Sequence, residues 1–411
     1  MAGRFRIAAV ASVIVAALAS PSPAAAAPPA AAPAVPCPIA KVKPKPKPRP
    51  PSPPPTPSHD PAWRAIGGKA LAADGLVIPD GAPAPPKRLT AKSWLVADLD
   101  SGAVLGGCGP HVHRPPASVQ KLLLAATFLP ELDPNQVVKV TRSDLDFEPG
   151  SSAVGLVPRG KYTVRTLWRG LLMNSGNDAA NVLARLGGAE DRVPGAIRAM
   201  NAEARRLGAY QTRAVTPSGL DGPGQFTSAY DLALIARACF ARDDFRRYAA
   251  TERAKIPAQK PKYRGFQIQN DNRLLFEYEG ALGGKTGFTD LARHTFVGAA
   301  ERDGRRLVVT LLGAERRPSP TWQQGAALLD WGFALPADAA VGRLVEPGEV
   351  ERAAASRAAG AGPSANGLAV APGGTGELPW WGVAVVLAWI VLVAAVALLA
   401  VSRWRRPRRR T

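Results

Sequence analysis

The 411-residue chain has only three cysteines and four histidines. Cys37, Cys108 and Cys239 are too few for a disulfide scaffold. A single bridge is allowed in an exported protein, and each of the three pairings is open at this level. Cys37 follows Pro36 rather than the small residue that precedes a lipid-modified cysteine. His111 and His113 alternate as two metal ligands on one strand face would. Only His59 and His294 remain, however, and no carboxylate cluster accompanies them, so no metal is expected and the pair reads as a surface loop. Acidic residues are missing from Met1–Pro57 and from Ser402–Thr411, and no internal repeat occurs.

That last absence explains most of the net charge of +20. Arg4 and Arg6, the run Lys41, Lys43, Lys45, Lys47 and Arg49, and the arginines after Val401 carry the larger part of it. Such basicity belongs to targeting and tethering, and no nucleic-acid partner is expected. A modestly basic body suits a polyanionic cell envelope.

Residues 1–27 read as a signal peptide, with Arg4 and Arg6 before the apolar run Ile7–Leu18 and small residues at Ala24–Ala27. Residues 28–62 are crowded with proline, and the Lys-Pro alternation from Lys43 to Pro48 predicts a stiff polyproline spacer. Residues 348–379, rich in alanine and glycine, form a second linker. Residues 380–401 are uncharged and long enough to span a bilayer, with Trp380, Trp381 and Trp404 at its edges. The basic tail, residues 402–411, is then cytoplasmic, and the body lies on the outer side of the plasma membrane.

Residues 63–347 are left as one globular domain. Trp94–Asp98 and Ala103–Leu105 predict a hairpin around Asp100-Ser101-Gly102. Ser118–Phe128 predicts an apolar helix, Thr163–Leu186 a helix broken at Ser175-Gly176, and Ser228–Cys239 a helix capped by Ser228. Strands return at Gly283–Phe288, Thr295–Ala300 and Leu307–Leu312, followed by a helix over Thr321–Trp331. Strands at both ends and helices between them predict an α+β fold whose sheet joins distant segments.

Three short motifs carry the chemistry. In Ser118-Val-Gln-Lys121 a hydroxyl and an amine share one helix face at i and i+3. An amine buried near a second cation is neutral part of the time and can take the hydroxyl proton; Lys285 is the candidate cation. Ser175-Gly-Asn177 is a sharp corner presenting two short polar side chains, one fit to relay a proton and one to hold a substrate amide. In Lys285-Thr-Gly287, glycines at 283, 284 and 287 let a substrate backbone lie against a strand, while Lys285 and Thr286 offer a cation and a hydroxyl to a carboxylate.

In this order the three match the signature of penicillin-binding proteins and class A β-lactamases. Pro116-Ala-Ser-Val-Gln-Lys121, Asn174-Ser-Gly-Asn-Asp-Ala-Ala180, Thr216-Pro-Ser-Gly-Leu-Asp221, Gln269-Asn-Asp-Asn272 and Gly283-Gly-Lys-Thr-Gly-Phe-Thr289 resemble the serine D-alanyl-D-alanine carboxypeptidases, the low-molecular-mass penicillin-binding proteins, over roughly Lys92–Phe333. The resemblance implies the β-lactamase-like transpeptidase fold, an antiparallel sheet flanked by helices with a helical subdomain. It implies Ser118 as acylated nucleophile, Lys121 as proton acceptor and Ser175 as their catalytic partner. It also implies Asn177, Lys285, Thr286, Gly287 and Phe288 as substrate-binding residues, with the Ser118 and Phe288 N–H groups as oxyanion hole. Its substrates are peptidoglycan stem peptides ending in D-Ala-D-Ala, its covalent inhibitors are β-lactams, and it needs no cofactor. Gly176 in the middle of the second motif favours the peptidase branch over the β-lactamases, and the intact motifs weigh against a non-catalytic wall-binding protein. A carboxylate-binding arginine is sought at Arg316 or Arg317.

Overall fold

The computed structural model describes residues 35–42 and 60–360. The expected signal segment, the Lys-Pro run, the membrane helix and the basic tail lie outside the described residues. Among the described residues, no helix is long and apolar enough to cross a membrane.

The frame is an antiparallel sheet assembled from both ends of the domain. β1 (Leu76–Val77), β2 (Ser93–Asp98) and β3 (Ala103–Cys108) come first; two small hairpins follow, β4 (Val137–Lys139) with β5 (Lys161–Thr163) and β6 (Arg253–Ile256) with β7 (Phe266–Gln269). β8 (Ala281–Thr289), β9 (Arg293–Arg302), β10 (Arg305–Ala314) and β11 (Gly342–Arg343) complete the set. The main sheet runs β1-β3-β2-β10-β9-β8, with β11 also on β3. Its central seam pairs Ser93–Asp98 with Leu307–Leu312, joining segments more than half the domain apart, as the α+β reading expects. β8, with the third motif, is the free edge.

The strands read as nearly continuous apolar runs because both faces are covered. Leu95, Ala97, Val308 and Leu312 face a large core shared with the helices, whereas Trp94, Val96, Leu307, Val309 and Leu311 face a smaller one. The described residues form ten α-helices: α1 (Pro61–Arg64), α2 (Lys121–Phe128), α3 (Val164–Asn174), α4 (Asn177–Gly187), α5 (Arg192–Arg206), α6 (Ala229–Phe240), α7 (Asp243–Ala249), α8 (Leu274–Glu277), α9 (Thr321–Phe333) and α10 (Glu349–Gly360). α9 closes the smaller core through Leu328, Leu329 and Trp331. α6, capped by the Ser228 hydroxyl as expected, runs under the sheet, where the Thr310 hydroxyl donates to the Ala229 carbonyl at 2.8 Å. α2 to α5 form the helical subdomain, and α2 is buried along its whole length.

Three local expectations change. Cys37, inside the expected spacer, is bonded to Cys108. The surrounding residues run along the domain, the Leu76 N–H donating to Val35 O at 2.7 Å and Ala40 N–H to Leu89 O at 2.6 Å. Cys239 is free and buried, its thiol pushed up by burial. The second linker begins as α10, because its alanine-rich opening has high helix propensity. His111 is not in a surface loop: it is buried, with its ring nitrogens 3.0 Å from Gln211 Oε1 and 3.1 Å from the Ile66 carbonyl oxygen.

The bridge spans 71 residues of sequence, a long loop to constrain in the unfolded chain. Cys37→Ser is therefore expected to cost about 2–4 kcal/mol. Thermal unfolding tests this: reductant should lower the wild-type transition to that of the variant and leave the variant unmoved.

Candidate active site

Pro115 and Pro116 deliver the chain to a single 3₁₀ turn, Ala117–Gln120, before α2 begins at Lys121. The expected α-helix start at Ser118 is thus a tighter turn. Side chains at i and i+3 eclipse in 3₁₀ geometry, which sets Lys121 directly over Ser118. The Lys121 Nζ lies 2.8 Å from the Ser118 Oγ. Ala117 enters the turn at φ +49°, a conformation disfavoured for a residue with a Cβ and typical of sites held by their surroundings.

Lys121 is completely buried, and its Nζ has two further contacts, Asn177 Oδ1 and the Ser218 carbonyl oxygen, each at 2.8 Å. Both are pure acceptors. A neutral amine has two hydrogens and one lone pair. If the hydrogens go to the two carbonyls, the lone pair faces the Ser118 hydroxyl. The electrostatics favour that state: burial first, then the Lys285 charge, push Lys121 well below the ordinary lysine value of 10.5, against an opposing pull from Asp178.

The second motif is the corner between α3 and α4. Ser175 sits in the left-handed region at φ +58° and is buried, its Oγ without a hydrogen-bond partner among the described residues. Asn177 spends its amide oxygen on Lys121 and donates its Nδ2 to the Ser151 Oγ at 3.0 Å. It therefore positions the lysine in this state, a task not foreseen from its expected contact with a substrate amide. Asp178 braces more than its helix: its carboxylate accepts from the N–H groups of Val154, Gly155, Leu156 and Ala179, each at 2.9 Å.

The third motif lies on edge strand β8, with Lys285, Thr286, Gly287 and Phe288 opposite Val297, Phe296, Thr295 and His294. The strand passes so near the nucleophile turn that a Cβ on Gly287 would stand 2.8 Å from the Ser118 amide nitrogen. Lys285 is buried and donates to the Thr286 carbonyl at 2.7 Å; burial pulls it down to about 8 against the charge of Asp271. Phe288 is half exposed beyond it, its ring 4.6 Å from that of His294. The guanidinium over Phe288 belongs to Arg293, which is held by Glu315, rather than to Arg316 or Arg317. Asn270 donates its Nδ2 to the carbonyls of Ala249 and Thr251, at the end of α7, while Asn272 accepts from the Leu274 N–H at the start of α8.

One part of the site carried no assigned role in the sequence, although its motif was among those matched. The Thr216–Asp221 loop supplies the Ser218 carbonyl to Lys121 and is pinned to the nucleophile turn by Gln120, whose Nε2 donates to Thr216 O and Gln225 Oε1. Its far end meets β8, where the Thr289 hydroxyl donates to Asp221 Oδ1 at 2.8 Å. The repeated polar residues of Thr216-Pro-Ser-Gly were visible, but a carbonyl's role leaves no trace in side-chain identity. Gly219, at φ +85°, is the hinge of the contact, since a Cβ there would overlap the Ala117 carbonyl. Gly219→Ala should push the loop off the turn and slow β-lactam acylation by roughly 10²-fold, the scale of a 1 Å misplacement. Stopped-flow acylation compared with thermal stability would separate this from unfolding.

Comparison with known proteins agrees with this geometry. A family model described as D-alanyl-D-alanine carboxypeptidase matches residues 80–316. The D-alanyl-D-alanine carboxypeptidase DacB2 of Mycobacterium tuberculosis is 46% identical over 276 residues, 66% of this chain and 89% of that protein. DacD of Salmonella typhimurium is 33% identical over 274 residues, 64% of this chain and 67% of that one. Among solved structures, a D-alanyl-D-alanine carboxypeptidase from M. tuberculosis gives a TM-score of 0.61 at 46% identity, covering 65% of this chain and 100% of its own. The Streptomyces K15 DD-transpeptidase gives 0.59 at 27% identity, covering 62% and 100%. With the penicillin-binding-protein fold and three matching motifs converging on one buried amine, the chain belongs to the D-alanyl-D-alanine carboxypeptidase family.

Proposed function

We propose that the protein removes the terminal D-Ala from peptidoglycan stem peptides ending in D-Ala-D-Ala, through an acyl-enzyme on Ser118. The observation that carries the assignment of roles is the buried Lys121 Nζ, 2.8 Å from a hydroxyl and from two carbonyl-type acceptors. Ser118 Oγ bonds to the penultimate D-Ala carbonyl carbon as its proton passes to Lys121. The peptide C–N bond then breaks, and the departing amine takes a proton back, with Ser175 as relay. Water repeats the attack on the ester, releasing the shortened peptide and restoring Ser118. The N–H groups of Ser118 and Phe288 receive the oxyanion, and Lys285 with Thr286 and Gly287 receives the substrate's terminal carboxylate. Penicillins acylate the same serine, their strained amide and carboxylate standing in for the D-Ala-D-Ala end. Incubation with a D-Ala-D-Ala peptide should liberate free D-Ala; no release by the wild-type protein would overturn the proposal.

A β-lactamase needs a base for the deacylating water. Among the described residues, no carboxylate hydrogen-bonds to Ser118, Lys121 or Asn177, and Asp178 is committed to four backbone N–H groups. The penicilloyl adduct should therefore be long-lived.

The placement proposed is the outer side of the plasma membrane, tethered through residues 380–401. The uncharged stretch and the arginines after it support this reading, as does a disulfide, which suits an oxidising compartment.

Lys285 adds a pH signature. Its cation is present below about 8 and lost above it, so carboxylate pairing weakens on the alkaline side. Lys285→Arg keeps its charge at all relevant pH and should move the alkaline fall in kcat/KM upward. An unmoved alkaline limb would remove Lys285 from that role.

A further inference from the structure

A cleft of about 540 Å³ opens where α3 and α7 pack, away from the three motifs. Its walls are Arg165, Trp168 and Arg169 of α3 and Arg247 and Tyr248 of α7. On each helix these positions are three and four residues apart or adjacent, so each helix turns one face to the cleft. The floor is apolar, from Leu129, Leu132 and Pro134.

Three arginines line the cleft against a single carboxylate, that of Asp244. Among the described residues the Arg165 guanidinium donates only to the neutral Asn135 Oδ1, at 2.8 Å, and none of the three arginines forms an ion pair. Asp244, the acidic residue of the lining, is already paired with Arg242 at 2.7 Å. Two donors in the wall are also unspent. Trp168 is fully buried and, among the described residues, its indole Nε1 has no acceptor; the Arg169 Nε is likewise buried without one. Tyr248, whose hydroxyl is held up by burial, feels the charges of all three arginines and, opposing them, that of Asp244. A buried N–H without an acceptor is costly, and the exposed Arg165 and Arg247 beside it hold unpaired charges in water. A bound anion accepts from both.

We propose that this cleft is a second ligand site that takes a phosphate ester. Several forked donors around one pocket match the oxygens of a tetrahedral phosphate better than a single carboxylate, which one arginine fork would saturate. The apolar floor accepts the carbon body of the ester. α3 ends at Ser175, about two helical turns from Trp168, or ~10 Å at ~1.5 Å per residue. A ligand held there lies on the same helix as the second motif but outside the site of the three motifs, and the inference does not depend on the peptidase reading.

The test uses the full chain in detergent, with inorganic phosphate as first probe in calorimetric titration at constant ionic strength. Saturable binding is expected in the wild type. It should weaken by at least ~10-fold in the Arg165→Gln, Arg169→Gln, Arg247→Gln triple variant, since charge-assisted bonds dominate. Trp168→Phe, which keeps the packing and removes only the N–H, should weaken it by a few-fold. Penicillin acylation should be unchanged in both, which establishes that the variants are folded and separates this site from Ser118. Glycerol phosphate and phosphatidylglycerol vesicles, added in competition, distinguish a soluble ester from a lipid headgroup as the source. No saturable binding, equal binding by the triple variant, acetate binding as tightly as phosphate, or competition by neither ester would overturn the proposal.

Discussion

Ser118→Ala should abolish D-Ala release and covalent penicillin labelling together. Removing an acyl-enzyme nucleophile costs on the order of 10⁴–10⁶ in rate, because the oxyanion donors and binding groups that remain stabilise little without a covalent step. The substitution removes one atom from a side chain whose hydroxyl meets the Lys121 amine, so the fold should persist. Mass spectrometry of penicillin-treated protein should place the added mass on the peptide containing Ser118 in the wild type and show none in the variant. Persistent labelling of the variant would move the nucleophile elsewhere.

Lys121→Met should have the second largest effect. Methionine nearly preserves the buried volume but cannot accept the hydroxyl proton, and losing a general base costs roughly 10²–10⁴ in rate. The wild-type rate should rise with pH through the depressed lysine value, as the amine becomes neutral, and that limb should vanish in the variant. Stability carries the same sign. Lys121 folds with a value well below 10.5, so between the two values the unfolded chain binds more protons. Stability therefore rises with pH through that window and falls as pH drops through it, by up to ~1.4 kcal/mol per pH unit for one group. Denaturation curves at several pH values should show this slope in the wild type and a smaller one in Lys121→Met.

Much of this was legible in the residues because both chemistry and periodicity pointed the same way. Ser118 and Lys121 were readable as neighbours since any helical turn eclipses or nearly eclipses i and i+3, and the α2 apolar run required a helix. The β2–β3 hairpin and the β8–β10 edge announced themselves through apolar strands around glycine turns. α5 did not, because Pro194 and Gly195 sit in its first turn, and its buried face is a sparse row of Ala196, Met200 and Ala204. The nucleophile turn packs against a distant loop, Gly219 meeting Ala117 and Gln120 while Gln120 holds Thr216, which no local pattern records. His111 looked like surface because its partners, Gln211 and the Ile66 carbonyl, lie far along the chain. Distance in sequence hid the carbonyl of Ser218 in the same way.

The ionisation of the amine that begins α2 is the most direct measurement. NMR titration of the Lys121 Nζ, assigned by its loss in Lys121→Met, should give a midpoint well below 10.5, accompanied by the acid limb of acylation at the same pH. A midpoint at or above 10.5 would mean an ammonium that cannot take the Ser118 proton, contradicting the mechanism built on it.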